Sequence, residues 1–338
     1  MFCSRGIEGC TARGMVTTYY AGVDLGATNV RVAVADGSAE IRSIDRRPTP
    51  RGPRGVDVTE AVLDAVRAAC ADLGIDPTEV AAAGIGSIGP LDLADGTIVD
   101  PANLPDAIDV IPLRDPVSVL IDSDRVSLHN DTTAGVIGER YYSELNPDDM
   151  VYLTISSGIG AGVTVDGSVM HGWDGNAGEV GHMVVDPDGR RTCGCGRAGH
   201  WEAYCSGTNI PGYARDIHER EGIDTSLPVD ESGFAATDVF ADPDDPLASE
   251  VIDRIARWNA IGVSSIIQAY APLVIAIGGA VAMENESLVV DPITERTPGL
   301  VFGNVPEIRL TSLGDEVVLY GAIASAITGN GDAESHAH

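Results

Sequence analysis

Four side chains that bind borderline metals, His182, Cys193, Cys195 and His200, fall within 19 positions of the chain. Two sulfurs and two imidazoles suit tetrahedral Zn2+, although Cys-x-Cys is tighter than the usual Cys-x2-Cys. A metal there would hold a polar, glycine-rich loop, residues 183–201, that has no apolar core of its own. The plainer alternative is a pair of reduced thiols beside two unrelated histidines. Glu179 and Glu202 stand at the two ends of this loop, placed to accept hydrogen bonds from hydroxyl groups. A second constellation is Asn130-Asp131, after a strand pattern and before an apolar helix pattern. Asp131 could cap that helix. It could also be a general base, taking the proton of a hydroxyl as its oxygen attacks a terminal phosphorus. The third is Asp24-Leu-Gly26-Ala27-Thr28, a carboxylate beside a turn of small residues. Such a turn lets backbone amides approach a phosphate, and the carboxylate can hold Mg2+ directly or through water. A turn-capping Asp is the alternative.

These groups need elements to place them. Residues 19–36 read as strand, tight turn, strand, because Val30, Val32 and Val34 alternate with Arg31, Ala33 and Ala35. A second strand pair spans 150–156 and 161–165 around another glycine-rich turn, Ser156-Ser157-Gly158-Ile159-Gly160. The two turns lie about half a chain apart, and facing each other they would clamp a polyphosphate. Alone, each is an ordinary hairpin. Residues 46–56 are rich in Pro, Gly and Arg and are expected to be loop. Helices are expected over 58–73, from 132, over 248–270 and over 316–328, with strands at 81–89, 118–122, 126–129 and 272–277. The acidic stretch 224–245 reads as a surface excursion between helices.

Composition narrows the functional classes. The chain has 338 residues, with 51 Asp+Glu against 21 Lys+Arg and a net charge of -30. It contains no lysine; all the basic residues are arginine. A nucleic-acid partner is not expected, because phosphate backbones need a basic face. An anionic nucleotide would need a cation to enter so acidic a protein. The charge, the absence of lysine and an aromatic content of 5% resemble proteins of salt-in halophiles; at molar salt the Debye length shrinks to about 3 Å and self-repulsion becomes tolerable. The alternative is an acidic mesophilic protein. The most apolar stretch, 271–283, is too short to span a bilayer and is broken by Gly278-Gly279. No membrane association and a cytoplasmic setting are expected. Residues 1–14 lack the apolar run of a signal peptide and are expected to form a disordered extension, with Met15 as an alternative start.

Taken in order, these motifs resemble the ROK family (repressors, uncharacterised reading frames and sugar kinases), from Val23 to about Ala324. The opening D-x-G-G-T is matched by Asp24 to Thr28, with Ala27 in place of the second Gly. A P-N-L-P-like segment is Pro101-Ala102-Asn103-Leu104-Pro105, and the N-D pair is Asn130-Asp131. The G-T-G-I-G-A-G turn is Ser156 to Gly162, with Ser156 and Ser157 where Gly and Thr are expected. A-G-E-x-G-H is matched in full by Ala177 to His182. C-x-C-G-x-x-G-C-x-E is Cys193 to Glu202, with His200 in place of the last Cys; Cys205 is the rival fourth ligand. The strand and Gly-Gly that cradle the nucleotide are matched by Ile275 to Gly279.

The resemblance implies an α/β, two-lobed, actin-like or ribonuclease-H-like ATPase fold of the sugar-kinase type. Its lobes would be a small one at 19–125 plus 312–330 and a large one at 126–311 with the zinc loop, flanked by an extension at 1–18 and a tail at 331–338. ATP with catalytic Mg2+ would lie between them, near Asp24, Gly26, Ala27, Thr28, Ser156, Ser157, Gly158, Gly278 and Gly279. Asn103, Asn130, Asp131, Glu179, His182 and Glu202 would contact the sugar, with Asp131 as the base. Structural Zn2+ would be held by His182, Cys193, Cys195 and His200, with one His182 nitrogen left for a sugar hydroxyl. The implied activity is ATP-dependent phosphorylation of glucose at O6. The alternatives are another acceptor (fructose, mannose or an N-acetylated hexosamine) or polyphosphate as donor. A sugar-responsive repressor is disfavoured, since only 23 residues precede Asp24 and the charge is wrong for DNA. A filament-forming or chaperone ATPase would not need the polar sugar pocket. A homodimer or homotetramer is the assembly implied.

Overall fold

In a computed structural model the described residues are 17–329 apart from 102, 103, 106, 174 and 176. The expected sugar contact Asn103, the extension up to residue 16 and the tail from 330 therefore lie outside the described residues. The first half builds one mixed sheet. Strands β1 (Tyr19–Leu25), β2 (Asn29–Asp36) and β3 (Ile41–Pro48) form an antiparallel meander. Helix α1 (Gly55–Asp72) follows, then β4 (Val80–Ser87), parallel to β1. A small three-stranded sheet of β5 (Leu91–Asp92), β6 (Thr97–Val99) and β7 (Val110–Pro112) leads to α2 (Arg114–Ile121). Strand β8 (Val126–Asn130), parallel to β4, completes the order β3-β2-β1-β4-β8. The expected division at residue 125 falls one residue ahead of a strand that hydrogen-bonds into this first sheet.

Helix α3 (Asp131–Tyr142) then enters the second half. Strands β9 (Met150–Ile155), β10 (Ile159–Val165) and β11 (Ser168–Val169) repeat the antiparallel meander. Helices α4 (Glu202–Cys205), α5 (Ile210–Glu221), α6 (Ala236–Ala241) and α7 (Pro246–Tyr270) come next. Strand β12 (Val274–Gly278) pairs parallel to β9 and is followed by α8 (Ala280–Glu284) and α9 (Glu286–Arg296). Strand β13 (Glu307–Leu310) closes the order β11-β10-β9-β12-β13, and α10 (Val317–Thr328) ends the described fold. The two sheets have the same order and the same parallel and antiparallel pairings. The faint similarity of the two glycine turns is thus a repeat of architecture, each turn joining the first two strands of its sheet.

The alternation on β2 explains how the first half packs. Val30, Val32 and Val34 join the core of α1, whose Val58, Val62 and Val66 are buried at helical spacing. Ala33 and Ala35, on the opposite face, pack against Leu319 and Ile323 of α10. Small residues there let α10 come close to the sheet. It approaches α3 as closely: a Cβ on Gly321 would lie 1.7 Å from the Ala134 carbonyl oxygen. Helices α3 and α10 thus form one packed layer against both halves of the molecule.

Three local expectations differ from the structure. Residues 46–48 belong to β3, an edge strand whose polar outer residues hide its period. Residues 118–121 lie in α2 rather than a strand, with Val117 and Ile121 buried four apart on one helix face. The 224–245 excursion is packed, since Leu227, Val229, Phe234 and Phe240 join the second core. Asp245 is buried at its end and caps α7, accepting from the N–H groups of Leu247 (2.9 Å) and Ala248 (3.1 Å). Among the described residues, no helix is long and apolar enough to cross a membrane.

Candidate active site

Asp131 is the first residue of α3, where the chain leaves β8. The cap of that helix is Asn130, whose side-chain oxygen accepts from the Thr132 N–H at 3.0 Å and the Thr132 hydroxyl at 2.9 Å. Asp131 uses one oxygen, Oδ1, on the same N–H at 2.7 Å. Its other oxygen has no partner among the described residues. Burial pushes its carboxyl up to about 6, with the negative charge of Glu179 adding to the rise. A carboxylate so tuned can take a proton near neutral pH.

Glu179 and His182 are aimed by two close backbone approaches. Gly178 has φ +92°, and a Cβ there would sit 1.9 Å from the Ala161 carbonyl oxygen of β10. A Cβ on Gly181 would sit 2.2 Å from the Ile159 carbonyl oxygen. Only glycines let this turn lie flat on β10, which is the physical content of the Ala-Gly-Glu-x-Gly-His motif. Burial raises the Glu179 pKa, and the nearby His182 opposes the rise. Its Oε2 is 3.7 Å from His182 Nε2.

The other histidine nitrogen, His182 Nδ1, lies 3.7 Å from Cys193 Sγ, and His200 Nδ1 lies 3.3 Å from Cys195 Sγ. The four donor atoms of His182, Cys193, Cys195 and His200 all fall within 4.8 Å of one another. Tetrahedral Zn2+ with bonds of about 2.0–2.3 Å requires donors about 3.3–3.8 Å apart; the donor set suits zinc, and the two His–Cys pairs at 3.7 and 3.3 Å fall in that range. The rival ligand Cys205 does not join the cluster; its buried thiol points to the Ile255 carbonyl at 3.7 Å. Trp201, between His200 and Glu202, anchors the loop from within the core. It is fully buried and donates to Asn259 Oδ1 at 2.8 Å. Glu202 links the loop to the second glycine turn, its Oε2 accepting from Ile159 N–H at 3.0 Å and its Oε1 lying 3.8 Å from Cys193 Sγ.

Asn130, Asp131, Glu179, His182 and Glu202 line one cavity of 670 Å3. Ser157 and Gly158, expected on the nucleotide side, line this cavity too. A neighbouring cavity of 550 Å3 is lined by Gly279, Ala280, Met283, Arg31, Arg46 and the 314–318 segment. Ser156 lines both. Asp24, Gly26, Ala27, Thr28 and Gly278 line neither, although Asp24 is close enough to sense charge at Asp131 and Glu316. Its carboxyl is raised to about 6, by burial first, with Arg31 opposing and Asp131 and Glu316 adding. Arg31 Nε lies 3.1 Å from Asp24 Oδ2. Ala27 fits where the family motif has glycine because its φ is not positive.

Sequence reasoning misses Arg31, Arg46 and the 314–318 segment. Arg31 carries a signal: it is the one charged residue on the Ala33–Ala35 face of β2, directly after the first turn. Arg46 is hidden in a stretch whose composition favours loop. Gly314 to Val318 carries no signal, since it is a turn and the start of a helix with no chemistry-bearing pattern.

Two like-built sheets with a cleft between them, an aspartate at the base of the interlobe helix and a polar pocket beside it define the actin-like sugar-kinase fold. The model of the ROK family matches residues 20–328, and the chain belongs to that family. It is 34% identical to a glucokinase of Pyrobaculum calidifontis over 307 residues, covering 91% of this chain and 94% of that protein. It is 37% identical to a glucokinase of Aeropyrum pernix over 315 residues, covering 90% and 95%. Among solved structures it resembles a ROK family glucokinase from Streptomyces griseus in complex with glucose and AMPPNP, with TM-score 0.70 and 29% identity over 92% of this chain and all of that one.

Proposed function

We infer that the chain is an ATP-dependent glucose kinase in which Asp131 is the general base. On this reading glucose occupies the 670 Å3 cavity and the nucleotide occupies the 550 Å3 cavity beside it. The observation that carries the reading is the meeting of the two cavities at Ser156, with Asp131 on the wall of the first. A γ-phosphoryl group entering from one cavity then meets a hydroxyl held in the other. The expected Ser156 and Gly279 line the nucleotide cavity, and Arg31 and Arg46, paired with Asp24 and Glu316, bring guanidinium groups to its wall in a chain without lysine.

Glu179, Glu202, Asn130 and His182 Nε2 would accept or donate hydrogen bonds to the ring hydroxyls and so present O6 to Asp131. Asp131 takes the O6 proton as O6 bonds to the γ-phosphorus, the bond to the β–γ bridging oxygen breaks, and ADP leaves. The protein's contribution is position and charge rather than covalent chemistry. Asp24 would hold Mg2+, which neutralises phosphate charge when bound; Asp131 and Glu316 add negative charge around Asp24, and the paired Arg31 guanidinium opposes it. Zn2+, when bound, would fix the His182 tautomer and the loop carrying Glu202. The lysine-free acidic composition supports a setting of molar salt in a halophile's cytoplasm.

Replacing Asp131 tests the assignment. Asp131→Asn is expected to lower turnover by about a thousandfold or more, while calorimetry still detects glucose binding. A near-normal rate would refute the base assignment. The assay is coupled ADP release in molar KCl. Run over glucose, fructose, mannose and N-acetylmannosamine, with ATP and polyphosphate as donors, it also identifies the acceptor and the donor.

A further inference from the structure

The same helix that starts with Asp131 carries a second acidic residue which the mechanism above does not use. Glu139 lies eight residues along α3, about 12 Å up the helix, and is 1% exposed. A carboxylate so buried is costly unless paired, and this one is fully engaged. Oε1 accepts from the Ser312 N–H at 3.0 Å and from the Thr311 hydroxyl. Oε2 accepts from Arg309 at 3.1 Å. All three donors belong to β13 and the turn after it. That turn is also tied to the strand before Gly279, since Thr311 N–H donates to the Ile277 carbonyl at 2.8 Å.

Beyond the turn, Gly314, Asp315, Val317 and Val318 form one wall of the nucleotide cavity. The wall is held on its far side by the first sheet. Arg31 donates to the Asp315 carbonyl at 2.8 Å, and Arg46 pairs with Glu316. Leu313 N–H donates to the Thr311 hydroxyl at 3.2 Å and Glu316 N–H to the Leu313 carbonyl at 3.4 Å, so a path of hydrogen bonds and ion pairs runs from the base helix, through Glu139 and the 311–313 turn, to Arg46 and to Arg31 beside Asp24.

We propose that Glu139 is a positioning residue: it sets the distance between the nucleotide wall and the helix that presents Asp131. This rests on the reading that the 550 Å3 cavity takes the nucleotide. An apolar side chain would fill the same buried site at lower desolvation cost, but it could not hold the irregular backbone between β13 and α10 in register with α3.

The test compares Glu139→Gln with Ala280→Phe. Ala280 is exposed and lines the same cavity, so the phenyl group obstructs it without entering the core. Glu139→Gln should raise the KM for ATP about tenfold, the loss expected when hydrogen bonds to a charge are weakened. The KM for glucose should stay within about twofold, and the Kd of ATP measured by calorimetry without sugar should rise in parallel. Thr311→Val, which keeps the carboxylate but removes one of its donors together with the acceptor of the Leu313 N–H, should give a smaller change in the same direction and guards against a folding defect in the first variant. Glu139→Asp should restore part of the ATP affinity. If Ala280→Phe loses ATP binding but Glu139→Gln and Thr311→Val leave the ATP KM unchanged, or raise both substrates' KM alike, positioning is overturned and the cavity assignment stands. If Ala280→Phe binds ATP normally, the cavity assignment fails and the role of Glu139 falls with it.

Discussion

At the scale of single residues, the site is a set of carboxylates whose differences come from surroundings. Asp131 and Asp24 are both raised to about 6, chiefly by burial, yet Asp24 has Arg31 at 3.1 Å while Asp131 has one oxygen without a partner among the described residues. This fixes the sign of the pH dependence. A base with a raised pKa is lost as pH falls through that value. We expect kcat/KM for glucose to be flat above neutrality and to fall as pH drops through about 6, steeper than one proton because Asp24 titrates in the same range. Glu179 is one of the charges that raise Asp131, so Glu179→Gln should move this limb to lower pH as well as weaken sugar binding. An activity that stays level down to pH 4.5 would remove Asp131 from the chemistry.

At the scale of elements, the loop that carries Cys193 and Cys195 has little regular structure, although Val185, Cys193 and Trp201 pack into the second core. Beyond turns, its regular pairings are the isolated bridges Val184–His200 and Thr192–Ala198. One end bears His182 and the other Glu202, so an unpinned loop would release both from the cavity. We therefore expect one zinc per chain by metal analysis and a lower Tm with weaker glucose binding after chelation. Cys195→Ser should lose the metal, and Cys205→Ser should keep it, because the Cys205 thiol faces α7. Protein purified without chelator that contains no zinc would overturn the cluster reading. Helix α3 shows a different economy. It carries the cap Asn130 and Asp131 at one end and Glu139 two turns on, and it lies against α10 along its length.

At the scale of the molecule, a net charge of -30 with arginine as the only basic side chain makes ionic strength a structural variable. Many of the arginines are already engaged, as in the Arg254 pairs with Glu221 and Glu250 at 2.7 and 2.6 Å. The surplus carboxylates repel one another in dilute buffer. We expect Tm and ADP-release activity both to rise with KCl into the molar range, and activity to be largely lost on dialysis into low salt. Maximal stability in dilute buffer would speak against a salt-in setting.

The local chemistry is legible in the residues themselves. His182, Cys193, Cys195 and His200 stand out as metal-binding donor types close together in the chain, and the fold brings their donor atoms within 4.8 Å of one another. Ala-Gly-Glu-x-Gly-His announces a turn pressed onto a strand, because only glycine tolerates those approaches. The alternation of Val30, Val32 and Val34 makes β2 readable, since one face meets α1 and the other α10. By contrast, α2 resists a local reading because Val117, Val119 and Ile121 favour strands while burial falls on a helical face. Arg46, Gly314 to Val318 and Glu139 acquire meaning only when β3, the turn after β13 and α3 converge on one cavity. A sequence records which side chains are available; proximity between residues 139 and 312, or 31 and 315, depends on how two like-built sheets close around α3 and α10, and no local pattern encodes that.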